Sequence, residues 1–299
     1  MERLDDNDIL FIINPNSGEG RSLKVVNKLN SLKPDISYII TNDLEELEDA
    51  FRKNLDKYTA YILVGGDGTV RASLKYLYKK NDKILGVLPA GSGNGFSKEL
   101  GFKRSINSII EHTKSGDYNE VDLMTINDDL FINAAGLGID SNTAHLFHKS
   151  KGRGLSNYII SFVKSVCTFK PFQATLIIDK HKIEGKYLMI TVANTRQFGN
   201  NAIISPDSSP FDGFFELVLV KPFPMYLLPL FLLRMFSGKL KPGRFIEYIK
   251  VKDGVSIKSE FKKYHVDGDP KTFSDKLIVK LLSEKIKVVK MKDIVNTSP

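Results

Sequence analysis

A run of apolar residues that ends in a glycine turn restricts the possible folds of this chain more than any other feature. The segment 62–70 reads ILVGGDGTV. Such an apolar run predicts a buried strand, and three glycines around one carboxylate predict the loop that follows it. The spacing of Val70, Leu74 and Leu77 then predicts a helix that begins near Thr69.

A strand, a glycine turn and a helix N-terminus together suit an anion. Glycines let a bulky ligand approach the main chain, and the unpaired N–H groups and dipole of a helix N-terminus favour negative charge. The turn lacks the Lys-Ser/Thr ending of a Walker loop and the G-x-G-x-x-G spacing of a dinucleotide site. A phosphate cradle and a tight turn in which Asp67 caps a helix are therefore both open.

Two more polar glycine turns follow apolar strands. The turn at 14–21 reads NPNSGEGR and follows a strand predicted at Ile9–Asn14. The turn at 89–96 reads PAGSGNGF and follows a strand predicted at Ile84–Leu88. Alternating strands and helices of this length predict a parallel sheet with helices on both faces, and ligands bind beyond the carboxyl ends of its strands. We expect the three turns along one edge of that sheet.

After Gly116 the pattern changes to short strands separated by regular turns, which is typical of an antiparallel sandwich or barrel. The predicted strands are Glu120–Ile126, Leu130–Ala135, Ala174–Asp179, Lys186–Ala193, Phe214–Val220, Phe245–Val251, Val255–Ser259 and Leu277–Leu282. The sequence thus predicts a nucleotide-binding α/β domain at 1–117 and a β-rich domain at 118–299, whose last residues can return to the first domain.

Charge and cysteine content restrict the partners. The net charge of +8 and the pI near 9.2 favour an anionic partner. The surplus is scattered, and no zinc-finger spacing, aromatic RNA-binding motif or long basic arm is present, so we expect no nucleic-acid partner. The single cysteine, Cys167, excludes an intramolecular disulfide and is expected to be a buried thiol in a reducing compartment. Without a signal peptide or a long apolar run, we expect a cytoplasmic protein.

The three turns, Asp122, the segment Gly136–Asp140 and the late Asp267–Asp269 occur in an order that resembles the diacylglycerol kinase-like lipid kinases. This family includes bacterial diacylglycerol kinases and the sphingosine and ceramide kinases. The resemblance implies an N-terminal Rossmann-like domain, related to NAD kinases and phosphofructokinases, plus a C-terminal antiparallel β-sandwich domain. It also implies an active site between the two domains, with ATP and Mg²⁺ as cofactors.

The resemblance assigns a nucleotide site to the three turns. In the family an Asn-Pro-x-Ser-Gly turn, a Gly-Gly-Asp-Gly-Thr loop and a Pro-x-Gly-[ST]-x-Asn loop line this site. The corresponding residues are Asn14, Ser17, Gly18, Gly65, Gly66, Gly68, Thr69, Gly91, Ser92 and Asn94. Turn and capping roles are the alternative for the polar members of this set.

The resemblance also assigns the catalytic carboxylates. Asp67 is expected to be essential and to act through Mg²⁺ or its waters, since hard cations prefer carboxylate oxygen. Asp269 stands where the family has the glutamate proposed to accept the lipid hydroxyl proton; it is one methylene shorter and precedes Pro270. Because Asp-Gly is a common turn pair, a hairpin turn is the alternative there.

Further carboxylates match positions that support the site. Asp122, Asp212 and Asp267 are expected on the metal side, although Asp212 can equally belong to a turn. Asp140 either faces the acceptor or caps the helix predicted to begin near Asn142.

Two departures from the family bear on function. Val70-Arg71-Ala72 replaces the x-Asn-Glu that follows the second loop in many members. The third loop is closer to that of sphingosine- and ceramide-kinase relatives, which favours a sphingoid or other long-chain lipid over diacylglycerol as acceptor.

The most apolar segment, Tyr226–Phe236, is flanked by Lys221, Lys239 and Lys241. It is too short to span a bilayer, so it either packs on the β-rich domain or lies at a membrane surface near the lipid entrance. The expected partners are a lipid substrate and, peripherally, an anionic membrane surface. The oligomeric state stays open, with a homodimer among the options.

Two rival functions remain at this point. One is a soluble kinase like the NAD kinases, which share the Gly-Gly-Asp-Gly loop. The other is a catalytically silent nucleotide-binding regulatory protein, which the changes after Thr69 and at Asp269 keep open.

Overall fold

The chain divides into two compact units. The computed structural model describes residues 3–18, 21–33, 35–91, 93–149 and 155–291. The first unit comprises Met1–Val121 and Glu284–Pro299, and the second comprises Asp122–Ser283. The first unit ends at Val121, four residues after the boundary at 117 that the sequence predicts. The chain returns to the first unit at Glu284.

The first unit is built on one six-stranded sheet. Its strands are β1 (Ile9–Ile13), β2 (Ser37–Ile40), β3 (Ala60–Gly65), β4 (Ile84–Pro89), β5 (Tyr118–Val121) and β18 (Ile286–Val289), in the order β2-β1-β3-β4-β18-β5. All neighbours pair in parallel except β18 and β5. Every residue of β1, β3 and β4 is buried, as expected for central strands covered on both faces. The predicted parallel α/β domain is confirmed.

Five helices belong to the first unit. They are α1 (Arg21–Leu32), α2 (Leu44–Asn54), α3 (Asp67–Leu77), α4 (Gly95–Glu99) and α5 (Ile106–Lys114), and a 3₁₀ turn spans Asp6–Asp8. The side chain of Asp43 accepts a hydrogen bond from the backbone N–H of Glu46 at 2.9 Å and so caps α2. Ser105 caps α5 in the same way through the N–H of Ser108. Both helices therefore begin where a short polar side chain satisfies an otherwise unpaired N–H group.

The second unit contains two antiparallel sheets. The first has the order β10-β9-β14-β17-β6-β7 and the second the order β13-β12-β11-β8-β15-β16. The strands are β6 (Met124–Ile126), β7 (Asp129–Phe131), β8 (Ala134–Gly138), β9 (Phe172–Ile178), β10 (His181–Tyr187), β11 (Met189–Ala193), β12 (Phe215–Val220), β13 (Ile246–Val251), β14 (Gly254–Ser259), β15 (Lys263–Val266), β16 (Asp269–Thr272) and β17 (Lys276–Leu281).

One core joins the two sheets. Leu176 and Ile257 of the first sheet share a buried cluster with Leu137, Ile190 and Leu217 of the second. This packing confirms the predicted antiparallel β-sandwich. Burial alternates along β9, whereas every residue of β12 is buried; the second sheet is therefore covered on both faces.

Three helices cover the outer face of the second sheet. They are α6 (Ile139–Lys149), α7 (Leu155–Thr168) and α8 (Leu228–Phe236), the last preceded by a 3₁₀ turn at Met225–Leu227. Val218 and Val220 of β12 pack with Val166 of α7 and with Leu228 and Met235 of α8. Among the described helices, none is long and apolar enough to cross a membrane.

Several sequence-based boundaries are wrong. The run predicted as one strand at Glu120–Ile126 is divided between β5 and β6, which belong to different sheets. Apolar and β-branched residues continue through Asp122, whose N–H donates to the carbonyl of Pro210 at 2.8 Å and so leaves the ladder. The run at Lys186–Ala193 likewise joins the end of β10 to β11. Cys167 is exposed rather than buried, because α7 buries only one of its faces.

Candidate functional site

The three glycine turns leave the sheet at one edge. Strands β1, β3 and β4 are parallel neighbours, with Ile13 opposite Val64 and Gly65 opposite Pro89. The turns that follow these strands therefore lie side by side, as the sequence predicts.

The first turn is joined to the second by a side-chain hydrogen bond. Nδ2 of Asn14 donates to Oγ1 of Thr69 at 3.1 Å, and the backbone N–H of Asn14 donates to the carbonyl of Val64 at 3.0 Å. The N–H of Ser17 donates to the carbonyl of Asn14 at 3.2 Å, which closes the first turn. Gly18 has φ of 68°, a conformation that favours glycine.

Asp67 joins the second turn to the third. Its carboxylate accepts hydrogen bonds from the backbone N–H groups of Gly95 at 2.9 Å and Phe96 at 3.1 Å, which are the first residues of α4. Burial raises the pKa of Asp67, while the two N–H donors oppose that shift. The helix-cap alternative thus applies in part: Asp67 caps a neighbouring helix and locks two turns together.

The glycines of the turns have different roles. A Cβ atom added at Gly91 would lie 2.7 Å from Cα of Gly66, and one added at Gly65 would lie 2.5 Å from Oγ1 of Thr69. Close packing of the turns therefore excludes a side chain at both positions. An added Cβ at Gly68 would meet nothing within 4 Å. No contact within the protein requires glycine at this position, which leaves the main chain there open to a ligand.

The third turn is held by two side chains. Nδ2 of Asn94 donates to the carbonyl of Gly91 at 2.6 Å, and Arg104 donates to the carbonyls of Pro89 and Gly91. Oδ1 of Asn94 is buried and has no hydrogen-bond partner among the described residues, so it is available to a donor on a ligand. Ser92, the remaining predicted residue of this turn, lies outside the described residues.

A cavity of about 290 Å³ opens beside the first and second turns. Its lining contains five predicted residues, Asn14, Ser17, Gly66, Gly68 and Thr69. The other lining residues come from the end of β2 and from α2 and α3 and were not predicted; they are Thr41, Asp43, Leu44, Leu47 and Ala72. Leu44 is 70% exposed and presents an apolar surface to a ligand.

Strand β2 lies beside β1 in the same parallel sheet, so its carboxyl end adjoins the same edge. That topology was the available signal for the residues that sequence reasoning missed.

Asp267 belongs to a rigid hairpin turn in the second unit. Its carboxylate accepts hydrogen bonds from the backbone N–H groups of Ile132 at 3.2 Å, Asn133 at 3.0 Å and Ala134 at 3.0 Å. Strands β15 and β16 pair in antiparallel fashion around this turn. Asp267 and Gly268 thus form the turn of a hairpin, which places the half-buried Asp269 at the first position of β16.

The three carboxylates expected on the metal side have other partners. Asp122 is buried and accepts from the N–H of Gly213 at 2.8 Å. Asp212 pairs with Lys250 at 2.7 Å, and Asp267 forms the contacts just described. In the described part of the chain no group of three or more His, Cys, Asp or Glu side chains could hold a metal ion. Each of the three carboxylates thus has a partner of its own within the second unit.

Asp140 is buried at the start of α6. Its Oδ1 accepts from the N–H of Ser141 at 2.7 Å, and its Oδ2 accepts from Oγ1 of Thr191 at 2.8 Å. It also lines an apolar cavity. The rest of the lining is mostly apolar and consists of Ile159, Phe162, Val163, Phe198, Gly199, Asn200, Ala202, Leu232, Met235 and Phe236. One carboxylate in an apolar wall is an arrangement that orients the polar end of a long-chain molecule.

Comparison with known proteins agrees with both units. Residues 8–126 match the diacylglycerol kinase catalytic domain family, and residues 133–287 match the YegS C-terminal NAD kinase beta sandwich-like domain. A protein of Streptococcus pneumoniae named "Putative lipid kinase" is 27% identical over 292 residues, which cover 93% of this chain and 96% of that protein.

Two crystal structures share the fold. A diacylglycerol kinase from Bacillus anthracis superposes with a TM-score of 0.73 at 19% identity, covering 97% of this chain and 98% of that one. An NAD kinase from Archaeoglobus fulgidus in complex with ATP gives 0.55 at 13% identity, covering 95% and 94%.

Proposed function

Since the chain belongs to the diacylglycerol kinase-like lipid kinase family, we propose that it transfers the γ-phosphoryl group of ATP to the hydroxyl group of a long-chain lipid. The acceptor class is a diacylglycerol or a sphingoid base. One observation carries the proposal: three turns are locked together beside a cavity that holds an open glycine, Gly68, next to the N-terminus of α3.

The nucleotide phosphates are proposed to lie over Gly68. The N–H groups at the start of an eleven-residue helix and its dipole favour an anion there. The hydroxyl of Thr69 and the amide of Asn14 border the same cavity. The exposed Leu44 is proposed to contact the nucleotide base.

The lipid is proposed to enter the apolar cavity that Asp140 lines. Aliphatic and aromatic side chains of α7 and α8 suit a hydrocarbon chain and offer little to a polar dinucleotide. This contrast favours a lipid over NAD as acceptor.

Asp269 is proposed to accept the hydroxyl proton of the lipid. The acceptor oxygen then forms a bond to the γ-phosphorus while the bond from that phosphorus to the bridging oxygen breaks, and ADP leaves with the electron pair. The hairpin holds Asp269 in place for this role, since small errors in position cost much rate.

Mg²⁺ is proposed to arrive with ATP. Asp122, Asp212 and Asp267 have other partners within the protein, so no step of the reaction is assigned to a metal held by these residues.

The segment around α8 is proposed to contact an anionic membrane surface. Leu228 and Met235 are buried, whereas Tyr226 is 78% and Leu233 67% exposed. One face of this segment therefore packs on the sheet, and the other face is apolar and exposed. Arg234 and the flanking Lys239 and Lys241 are exposed too, as at a membrane interface.

Co-sedimentation with anionic vesicles tests this contact. Each exposed lysine near an anionic surface contributes about 1 kcal/mol, so the double variant Lys239→Glu, Lys241→Glu should bind at least about 10-fold more weakly. The matched variant Lys182→Glu, Lys186→Glu, on the exposed strand β10, should bind like the wild type. Equal binding by the two double variants would contradict the proposed surface.

A phosphotransfer assay tests the proposed function. The protein is incubated with γ-labelled ATP, Mg²⁺ and separately diacylglycerol, sphingosine, ceramide or NAD. Labelled lipid supports the proposal, and labelled NAD would assign the chain to the NAD-kinase rival. Nucleotide binding without any product would assign it to the silent regulatory class.

A further inference from the structure

A buried histidine connects Asp140 to the turn that carries Asp269. His265 lies on β15 and is 4% exposed, and Asp140 is 3% exposed. Sequence reasoning did not select this histidine, because no motif contains it. One ring nitrogen faces the backbone of Gly268, and the other faces the carboxylate of Asp140.

Nδ1 of His265 faces the turn. The backbone N–H of Gly268 points at it at 3.3 Å. A backbone N–H can only donate, so Nδ1 acts as an acceptor and carries no proton. In the neutral imidazole the proton is then on Nε2. The hydrogen-bond network thus assigns one tautomer.

Nε2 of His265 faces the cavity carboxylate. It lies 3.3 Å from Oδ2 of Asp140, within ion-pair distance but without the alignment of a hydrogen bond. Thr191 and Ser141 already donate to the Asp140 oxygens. The contact between the imidazole and the carboxylate is therefore the adjustable one, and a small movement of Asp140 strengthens or weakens it.

The two residues of the turn, Asp267 and Gly268, are held by different contacts. Asp267 is bound to three backbone N–H groups, whereas the N–H of Gly268 is directed to the imidazole. A change at His265 would act on Gly268, next to Asp269, and leave the Asp267 contacts in place.

We propose that His265 is a positioning residue that couples Asp140 in the apolar cavity to the Gly268 amide and thereby orients Asp269. The occupant of the cavity is a long-chain alcohol, whose polar end contacts Asp140 and moves it relative to Nε2. This inference rests on the proposed function, because the roles of Asp140 and Asp269 toward a lipid are proposed there.

Two substitutions separate the halves of the coupling. His265→Asn keeps a polar atom where Nδ1 lies and removes the contact to Asp140, whereas His265→Gln keeps a donor near Nε2 and removes the contact to Gly268. If the coupling orients Asp269, each variant lowers kcat for the lipid by about 10-fold with KM for ATP unchanged. His181→Asn, at an exposed histidine on β10, should leave both constants unchanged. Wild-type kcat in either His265 variant would overturn the proposal.

Nitrogen NMR of the imidazoles provides a readout that needs no catalysis. The signal of His265, assigned by its absence in His265→Asn, should show a protonated Nε2 and an unprotonated Nδ1. It should shift when 1-tetradecanol is added to the wild type and stay constant when it is added to Asp140→Asn. A protonated Nδ1, or no shift in the wild type, would overturn the coupling. Failure to phosphorylate any lipid would instead overturn the proposed function and leave the NMR result to decide the coupling.

Discussion

Replacing Gly68 with alanine should stabilise the protein and weaken ATP binding at the same time. Gly68 lies in the first turn of α3, and an added Cβ would meet nothing within 4 Å. Alanine in a helix is favoured over glycine by about 0.5–1 kcal/mol. In a domain of roughly 150 residues that gain corresponds to an increase in Tm of about 1–4 °C.

The same methyl group would occupy the space proposed for the phosphates. Loss of close approach to the main chain should weaken ATP binding by at least about 10-fold, which corresponds to about 1.4 kcal/mol. Titration calorimetry with ATP and a thermal melt of the same sample measure the two effects together.

Gly91→Ala is the matched control, because its added Cβ would lie 2.7 Å from Cα of Gly66. That variant should lose both stability and binding, since the turns can no longer pack. If Gly68→Ala binds ATP as tightly as the wild type, the proposed phosphate position is wrong.

Three further predictions concern single side chains. Asp267→Asn should lower the free energy of unfolding by about 2–3 kcal/mol, because the charged acceptor of three N–H groups is lost. Hydrogen exchange of the amides at 132–134 should become faster. A loss below about 0.5 kcal/mol would contradict a stabilising role of these three hydrogen bonds. Since burial raises the pKa of Asp67, its protonated form stabilises the fold at acid pH and this contribution is lost as the pH rises through the folded-state value. Urea unfolding at several pH values measures the free energy of unfolding of the wild type minus that of Asp67→Asn. This difference should fall as the pH rises from 4, and a difference that rises with pH would refute burial as the cause of the raised pKa. Leu44→Ser should raise KM for ATP about 5-fold through lost apolar contact, with an unchanged Tm because Leu44 is 70% exposed; an unchanged KM would place the base elsewhere.

The parallel sheet of the first unit could be predicted from the sequence because its central strands are buried on both faces. Such strands appear in sequence as continuous apolar runs, and β1 and β4 lie within about a residue of their predicted ends. Parallel pairing then placed the three turns together without any knowledge of side-chain contacts.

The strand boundaries of the β-sandwich were harder to predict, because residues that favour strands continue through the turns between its strands. Strands β15 and β16 were missed because each has only four residues and β16 reads DPKT, with Asp and Pro, which are uncommon in strands. The contacts that shape the site join residues that are distant in sequence. Asp67, for example, accepts hydrogen bonds from the backbone N–H groups of Gly95 and Phe96. Local patterns indicate a cap but do not identify its partner.

Asp267 illustrates why residue roles were less predictable than the fold. A carboxylate in a motif is compatible with a metal, a proton or a backbone N–H group. Only its surroundings, here the N–H groups of 132–134, distinguish these roles.

The central claim is that ATP bound at the glycine turns is the phosphoryl donor to a long-chain lipid. The most direct test measures transfer of γ-labelled phosphate from ATP to sphingosine and diacylglycerol by the wild type and by Gly68→Val at equal folded fraction. We predict labelled lipid with the wild type and none above background with the variant. Labelled lipid at equal rates from both proteins, or no labelled lipid from the wild type, would contradict the claim.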